Sequence, residues 1–296
     1  MRSDEGRGHR KKGVCVIAEQ DPPRRVLDER RGFTDGPFAV LDAFRSQRRR
    51  LMRTCIAFDA SAWRAETRCT EWSVHDVVCH VRDATSLHVA SLGGRPAPFS
   101  AYGPFHPATT PAVWLAASAG QSPEETLREL VVLTEEEDRL LERKAELNPS
   151  EARPGPLRRT LHWSVASAHF FWDAWLHERD IAPCLGLKMS YPAAELRLAT
   201  MYGLLVAATP AGWSGEYVQT TVSLGGSPDH GYEITSPHAD DTVMVATVSP
   251  ELSAELTGET GEILDSLAGR GPEPSELFGM SSTAVSRLTL LCQVAT

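Results

Sequence analysis

The apolar residues of this chain change their period once, and that change limits what it can fold into. Before residue 183 they recur at helical spacing. The stretch "PFAVLDAFRSQRRRLMRTCIAF" (37–58) puts Val40, Leu41, Phe44, Leu51 and Ile56 near one helix face, with Pro37 suited to a first turn. Ser73 can cap a second helix, "VHDVVCHVRDATSLHVASL", which Gly93 and Gly94 end. Ser122-Pro123-Glu124-Glu125 opens a third, running to about Leu147, with a cap, a proline at the first position and acids in the first turn. A fourth is expected over roughly Leu161–Ile181, ahead of Pro183 and Gly186. Beyond a linker at 184–192 and a helix near 193–207, the pattern alternates in "YVQTTVSL", "YEITS" and "TVMVATVS", as half-buried strands do. Helices are expected again at "PELSAELTGETGEILDSLAGRG" (250–271) and around 282–293.

The fold class implied is α+β. Long helices joined by loops make a four-helix bundle the natural arrangement for residues 36–183, followed by a small α+β domain over 190–296. Residues 1–35 are charged, contain Pro22-Pro23, and read as a disordered basic tail. The segment 95–121 is rich in Pro and Gly and reads as a long loop with a short helical piece at "PAVWLAASA".

Charge narrows the partners. Residues 1–53 carry 14 Lys/Arg and 8 Asp/Glu, so the remainder of a chain of net charge −9 stands at −15. Such an acidic body argues against nucleic acid as a partner. The six cysteines lie far apart without a CxxC pair, which fits a reducing compartment rather than a disulfide framework. The apolar run "GVCVIA" is too short for a signal peptide, and nothing approaches a membrane span. A cytoplasmic protein, monomeric or homodimeric and with no membrane partner, is expected.

The stretch "HFFWDAWLHERD" (169–180) carries the chemistry. His169, Asp173, His177 and Asp180 follow one another at steps of four, four and three, which on a helix places all four on one stripe. The remaining positions are largely apolar, so the helix should be mostly buried. Its imidazoles and carboxylates then need partners, since an unpaired buried polar group costs roughly 2–7 kcal/mol. Either a metal ion or a plain hydrogen-bond network would serve. His80 lies at the border of the apolar face of the second helix, and His75 and His88 share that helix. With Asp173 and His177, one turn apart, His80 would give two imidazoles and one carboxylate, a set that leaves a coordination position open on zinc or a similar divalent ion. Asp180 can hold an imidazole N–H or contact substrate. His169 is a further ligand, a proton donor or a core histidine.

The motifs resemble a known family. "TRCTEWSVHDVVCHV" (67–81) is similar to a signature T-x-C-x-x-W-[ST]-V in which a metal-binding histidine follows the tryptophan by about eight residues; Cys69, Trp72, Val74, Asp76 and His80 fit it. "WDAWLHERDI" (172–181) is similar to a second signature of an acid, three residues, a histidine and a following aspartate. Both resemble the DinB-like bundles of the mycothiol-dependent maleylpyruvate isomerase family. The stretch "TVMVATVSPELSAELTGETGEILDSLAGRG" resembles that family's C-terminal domain, where a strand precedes a helix ending in Gly-Arg. One departure is visible: the family's second ligand is usually Glu, and here it is Asp173, one methylene shorter.

The resemblance implies His80, Asp173 and His177 as ligands of a divalent ion, zinc in the first instance; Asp180 and His169, on the same stripe, are the candidate catalytic groups. It implies a low-molecular-weight thiol of the mycothiol type as co-substrate. The thiolate would add to an activated cis double bond of a small organic acid, and elimination after rotation would give the trans isomer. Thiol-S-transfer, or another thiol-dependent step of secondary metabolism, is the alternative within the same chemistry. From a different class comes a non-catalytic bundle that binds a metal or ligand. Cys69 reads as a residue that fixes the loop, Trp72 as a staple or core residue, and Arg82 and Asp83 as a solvated face. Arg270 reads equally as the closure of a helix C-terminus and as a substrate contact. His230, in "PDHGYE", reads as part of a hairpin turn.

Overall fold

The computed structural model describes residues 24–98, 109–154, 160–213, 218–236, 242–249, 254 and 256–272. Its architecture is α+β. The four expected long helices are α1 (Pro37–Ile56), α3 (Val74–Leu92), α5 (Pro123–Leu147) and α6 (Trp163–Ile181), packed round one another as a bundle. A single turn, α2 (Ala60–Trp63), follows α1, and α4 (Thr110–Ala117) is the short helical piece of the long loop. The starts of α3 and α5 are both closed by capping boxes. Ser73 and Asp76 exchange bonds at the first, and Ser122 and Glu125 do so at the second, where Pro123 opens the helix. These bonds satisfy N–H groups that the first helical turn leaves without partners.

After α6 a long helix, α7 (Ala193–Trp213), crosses the molecule. Leu198, Ala199, Met201, Tyr202 and the run Leu204–Ala208 are all buried, so it is apolar on every side. Such a helix must be covered all round. On one side it meets α1 and α6, and on the other a six-stranded sheet. The sheet is made of β1 (Val26–Asp28), β2 (Gly32–Phe33), β5 (Val218–Gly225), β6 (Gly231–Ser236), β7 (Met244–Val248) and β8 (Leu256–Glu259), in the order β2-β1-β7-β6-β5-β8. All neighbours are antiparallel except β5 and β8. The edge strand β8 leads directly into α8 (Thr260–Leu267). A small hairpin, β3 (Ala152–Pro154) with β4 (Thr160–His162), precedes α6. One hydrophobic cluster runs from Leu41 and Phe44 of α1 through Trp175 and Tyr202 to Ile234 and Leu264, joining bundle and sheet.

Two expectations are corrected. Residues 24–35 are not part of a disordered tail: β1 pairs with β7 through Val26–Ala246, Leu27–Val245 and Asp28–Met244, and turns back into β2. The charges that suggested solvation are used internally. Glu29 is buried and accepts from the Val243 amide at 3.2 Å and the Thr209 hydroxyl at 3.3 Å. Asp28 caps the turn by accepting from the amides of Arg30 and Arg31. Leu27, wholly buried, supplies the apolar anchor. Residues 1–23, the rest of that tail, lie outside the described residues. In the second correction, the helix expected over 250–271 begins only at Thr260. Leu256–Glu259 is instead a strand, held parallel to β5 from Val222–Leu256 to Gly225–Glu259. Gly258 permits this packing, since a Cβ there would lie 2.9 Å from Ile263 Cδ1. The helix expected around 282–293 lies outside the described residues. Among them, no helix is long and apolar enough to cross a membrane.

Candidate metal centre

The loop before α3 folds on itself before it meets α6. Thr67 Oγ1 bonds the carbonyls of Cys69 and Trp72 and accepts from the Cys69 amide, while the Trp72 amide donates to the Cys69 carbonyl. Glu71 takes a left-handed φ of 70° to make the turn. This explains the T-x-C-x-x-W spacing: the threonine ties the loop, and the loop aims the tryptophan. Trp72 lies over His80 of α3 and His177 of α6, with ring centroids 5.3 and 6.2 Å away. It is a lid on the two imidazoles as well as a partner of the apolar cluster of Val74, Val77 and Val78 beneath them.

His80, Asp173 and His177 come together as a group whose candidate ligand atoms all lie within 4.8 Å of one another. His80 Nε2 is 3.4 Å from Asp173 Oδ2, and His177 Nε2 is 3.6 Å from Asp173 Oδ1. Neither is a good hydrogen bond, and Asp173 Oδ2 is buried with no hydrogen-bond partner among the described residues. Both separations match what an ion requires: ligand atoms about 2.0–2.2 Å from a tetrahedral centre stand roughly 3.4 Å apart. Burial raises the Asp173 pKa, but the adjacent His80 and His177 outweigh it and hold the carboxyl well below the usual range. The short Asp side chain therefore reaches both imidazoles, and the residues fit a divalent cation.

His177 is oriented from its far side. Its Nδ1 lies 3.1 Å from Asp180 Oδ2, and a carboxylate can only accept, so Nδ1 carries the proton and Nε2 is left to face Asp173. Asp180 is wholly buried. Burial raises its pKa, yet the hydrogen bond from His177 and the Arg270 guanidinium hold it far below the usual value. Cys69 donates its thiol to Asp180 Oδ2 at 3.0 Å. Burial and the Asp180 charge push that thiol up to about 12, which makes it a poor nucleophile and a good loop anchor. Cys69, His177 and Asp180 also form a compact group of metal-type donors. Arg68 and Arg270 already pair with Asp180 there, so the cation charge of that group is supplied by the protein.

His169, one turn before Asp173, stays outside both groups. It packs edge-on to Phe170 and 5.9 Å from the Tyr202 ring, and its Nδ1 is buried without a hydrogen bond among the described residues. Burial lowers its pKa, so the ring is neutral. The other two histidines of α3 are engaged elsewhere: His75 with Thr126 at 3.1 Å, and His88 with Glu137 at 2.7 Å and Ser167 at 2.9 Å. Arg82 and Asp83, expected as a solvated face, are buried, with Arg82 holding Gln121, Ser118 and Glu129. His230 does lie in the β5–β6 turn, with φ 59°. Sequence reasoning missed Arg68. Its place inside the first signature, beside Cys69, was the available signal.

Comparison with known proteins finds similarity in sequence and in fold. The sequence model of the mycothiol maleylpyruvate isomerase N-terminal domain matches residues 44–182. A crystal structure of the mycothiol-dependent maleylpyruvate isomerase superposes with a TM-score of 0.53 at 15% identity, covering 80% of this chain and 90% of that one. The crystal structure of a histidine-to-alanine mutant of that isomerase gives 0.51 at 14% identity, over 79% and 90% of the two chains. No curated protein sequence matches significantly. The matched stretch, residues 44–182, contains His80, Asp173, His177 and Asp180, and over it the chain is similar to the mycothiol maleylpyruvate isomerase N-terminal domain family.

Proposed function

We propose that the protein is a metal- and thiol-dependent isomerase. It would act on an activated cis double bond of a small organic acid, with a mycothiol-type thiol as co-substrate. The observation that carries this reading is the convergence of His80, Asp173 and His177 around an Asp173 oxygen that no hydrogen-bond donor among the described residues satisfies. A divalent ion held there, zinc or a similar metal, favours the thiolate form of a coordinated thiol.

The chain's own residues divide the remaining tasks. Two imidazoles and one carboxylate leave a net positive charge on a dication, which suits an anionic sulfur. The Asp173 side chain is 27% exposed against 12% for His80 and 6% for His177, so the centre opens on the Asp173 side. Cys69 is too basic to serve as the nucleophile, which leaves that part to the co-substrate. Asp180 works through His177, since it is buried behind that ring. His169, neutral and one turn from Asp173, is the candidate proton carrier.

Metal content and turnover test this together. Protein purified without chelator or affinity histidines should hold close to one divalent ion per chain and convert maleylpyruvate when mycothiol is supplied. His80→Ala and His177→Ala should each lose the ion with little change in helical content. Full metal occupancy in both variants would falsify the assignment.

A further inference from the structure

We propose that Arg270, in the segment after α8, is a positioning residue for the metal centre and acts through Asp180 on the His177 ring. This rests on the reading of His80, Asp173 and His177 as ion ligands. Four side chains converge on the buried Asp180 carboxylate: His177 Nδ1 at 3.1 Å, Cys69 Sγ at 3.0 Å, an Arg68 nitrogen at 3.2 Å, and Arg270 Nε at 3.3 and 3.2 Å from the two oxygens. Oδ1 is held by Arg68 and Arg270, and Oδ2 by Arg270, Cys69 and His177. A carboxylate gripped on both oxygens cannot rotate away, so the atom that receives the His177 proton is fixed. A ligating imidazole fixed at one nitrogen presents the other in a set direction.

Arg270 is itself well placed. Gly269 takes a φ of 70°, which folds the chain back beneath α8, and the Arg270 amide bonds the Asp265 carbonyl at 2.7 Å. The guanidinium also donates to the Ala268 carbonyl at 2.5 Å. Helix α8 is tied to the bundle by Asp265, which receives Arg68 at 2.8 and 3.2 Å and Arg179 of α6 at 2.9 and 2.7 Å. The sheet-bearing part of the molecule thus supplies an outer contact to a centre whose ligands all lie on α3 and α6. Arg270 both closes the end of α8 and reaches the site, so the two sequence readings of it are joined in one side chain.

The two physical effects of this arginine have opposite signs, which makes the test sharp. A guanidinium near a divalent ion repels it, so loss of charge alone would tighten metal binding. Loss of positioning would weaken it, by about 10–100-fold for an outer contact of this kind. Zinc affinity of the full chain, measured by chelator competition, should fall by about that factor in Arg270→Ala. Arg179→Ala breaks the neighbouring pair to Asp265 but does not touch Asp180, and should leave zinc affinity unchanged. Nitrogen NMR of the zinc-free protein adds a direct readout. The His177 ring should carry its proton on Nδ1 in the natural protein and lose that single tautomer in Arg270→Ala. Unchanged or tighter zinc binding in Arg270→Ala, or an equal loss in Arg179→Ala, would overturn the proposal. If the natural protein binds no zinc, the ligand reading fails, and the NMR then decides alone. The same Nδ1 tautomer in both proteins would sink the relay.

Discussion

The bundle holds two buried clusters built from the same residue types, and they have opposite outcomes. In the first, His88 of α3 donates to Glu137 of α5 at 2.7 Å and pairs through its other nitrogen with Ser167 of α6 at 2.9 Å. Arg48 of α1 grips both Glu137 oxygens, at 2.9 and 3.1 Å, and gives a third bond to Gln47 at 2.9 Å. Every charge has its counter-charge. In the second, His80, Asp173 and His177 converge with no arginine paired to Asp173 among the described residues, and Asp173 Oδ2 has no hydrogen-bond donor among them. A histidine and an acid on facing helices therefore do not identify a metal site by themselves. What separates the two clusters is whether a protein cation pairs with the acid.

That contrast is most open to attack at Arg48. Removing one member of a buried ion pair strands the other, at a cost of about 3–5 kcal/mol. Arg48→Ala should lower stability by that order in denaturant titrations while zinc affinity stays near its natural value. His177→Ala should do the reverse: it abolishes zinc uptake and changes the stability of the zinc-free protein far less. If both variants lose stability equally, the second cluster is structural too, and the distinction collapses.

Acid titration sharpens the comparison at the closed cluster. Burial raises the Glu137 pKa, but Arg48 and His88 outweigh it and bring the value down to about 2 from an ordinary 4.5. The unfolded chain therefore takes up this proton before the folded one does. The stability that Glu137 contributes is complete above about pH 4.5 and disappears as the pH falls toward about 2, amounting to at most about 3 kcal/mol. His88 adds to the same trend from a higher pH, since burial lowers its pKa below 6.5 and the unfolded imidazole protonates first. Unfolding midpoints across pH 2–7 should show a shallower acid loss in Glu137→Gln than in the natural protein. Parallel curves would mean that Glu137 is not depressed by its partners.

How much of this was legible in the sequence follows from the range of the interactions. The four long helices were, because caps and apolar periods are local: Ser73 with Asp76, and Pro123 after Ser122, act within one turn. So was the polar stripe, because His169, Asp173, His177 and Asp180 share one helix. The sheet's first strands were not. Val26–Asp28 lies among arginines and acids, and its partner β7 is more than two hundred residues away, as is the Glu29 contact with Val243. The strand at Leu256 was hidden for a similar reason, since parallel pairing with β5 overrides the helical tendency of its neighbours. His75 and His88 could not be set aside from spacing alone. Their partners Thr126 and Glu137 belong to α5, and only packing brings those residues to α3. Arg270 reaches Asp180 across a separation of 90 residues, which no local pattern encodes.

The smallest expected effect belongs to the residue where this chain departs from the family signature. If Asp173 bonds the ion directly, its charge matters more than its length. Asp173→Asn keeps the shape and removes the charge, and should weaken zinc binding clearly. Asp173→Glu adds one methylene, which in a tightly packed core costs about 1–3 kcal/mol. Here the side chain is 27% exposed, and the extra length can be taken up on the open side of the centre. The stability change should fall at the low end of that range, with zinc still bound. A protein that tolerates Asn and rejects Glu would show that space, not charge, governs position 173. The carboxylate would then be a packing neighbour of His80 and His177, and the open cluster would lose the feature that separates it from the closed one.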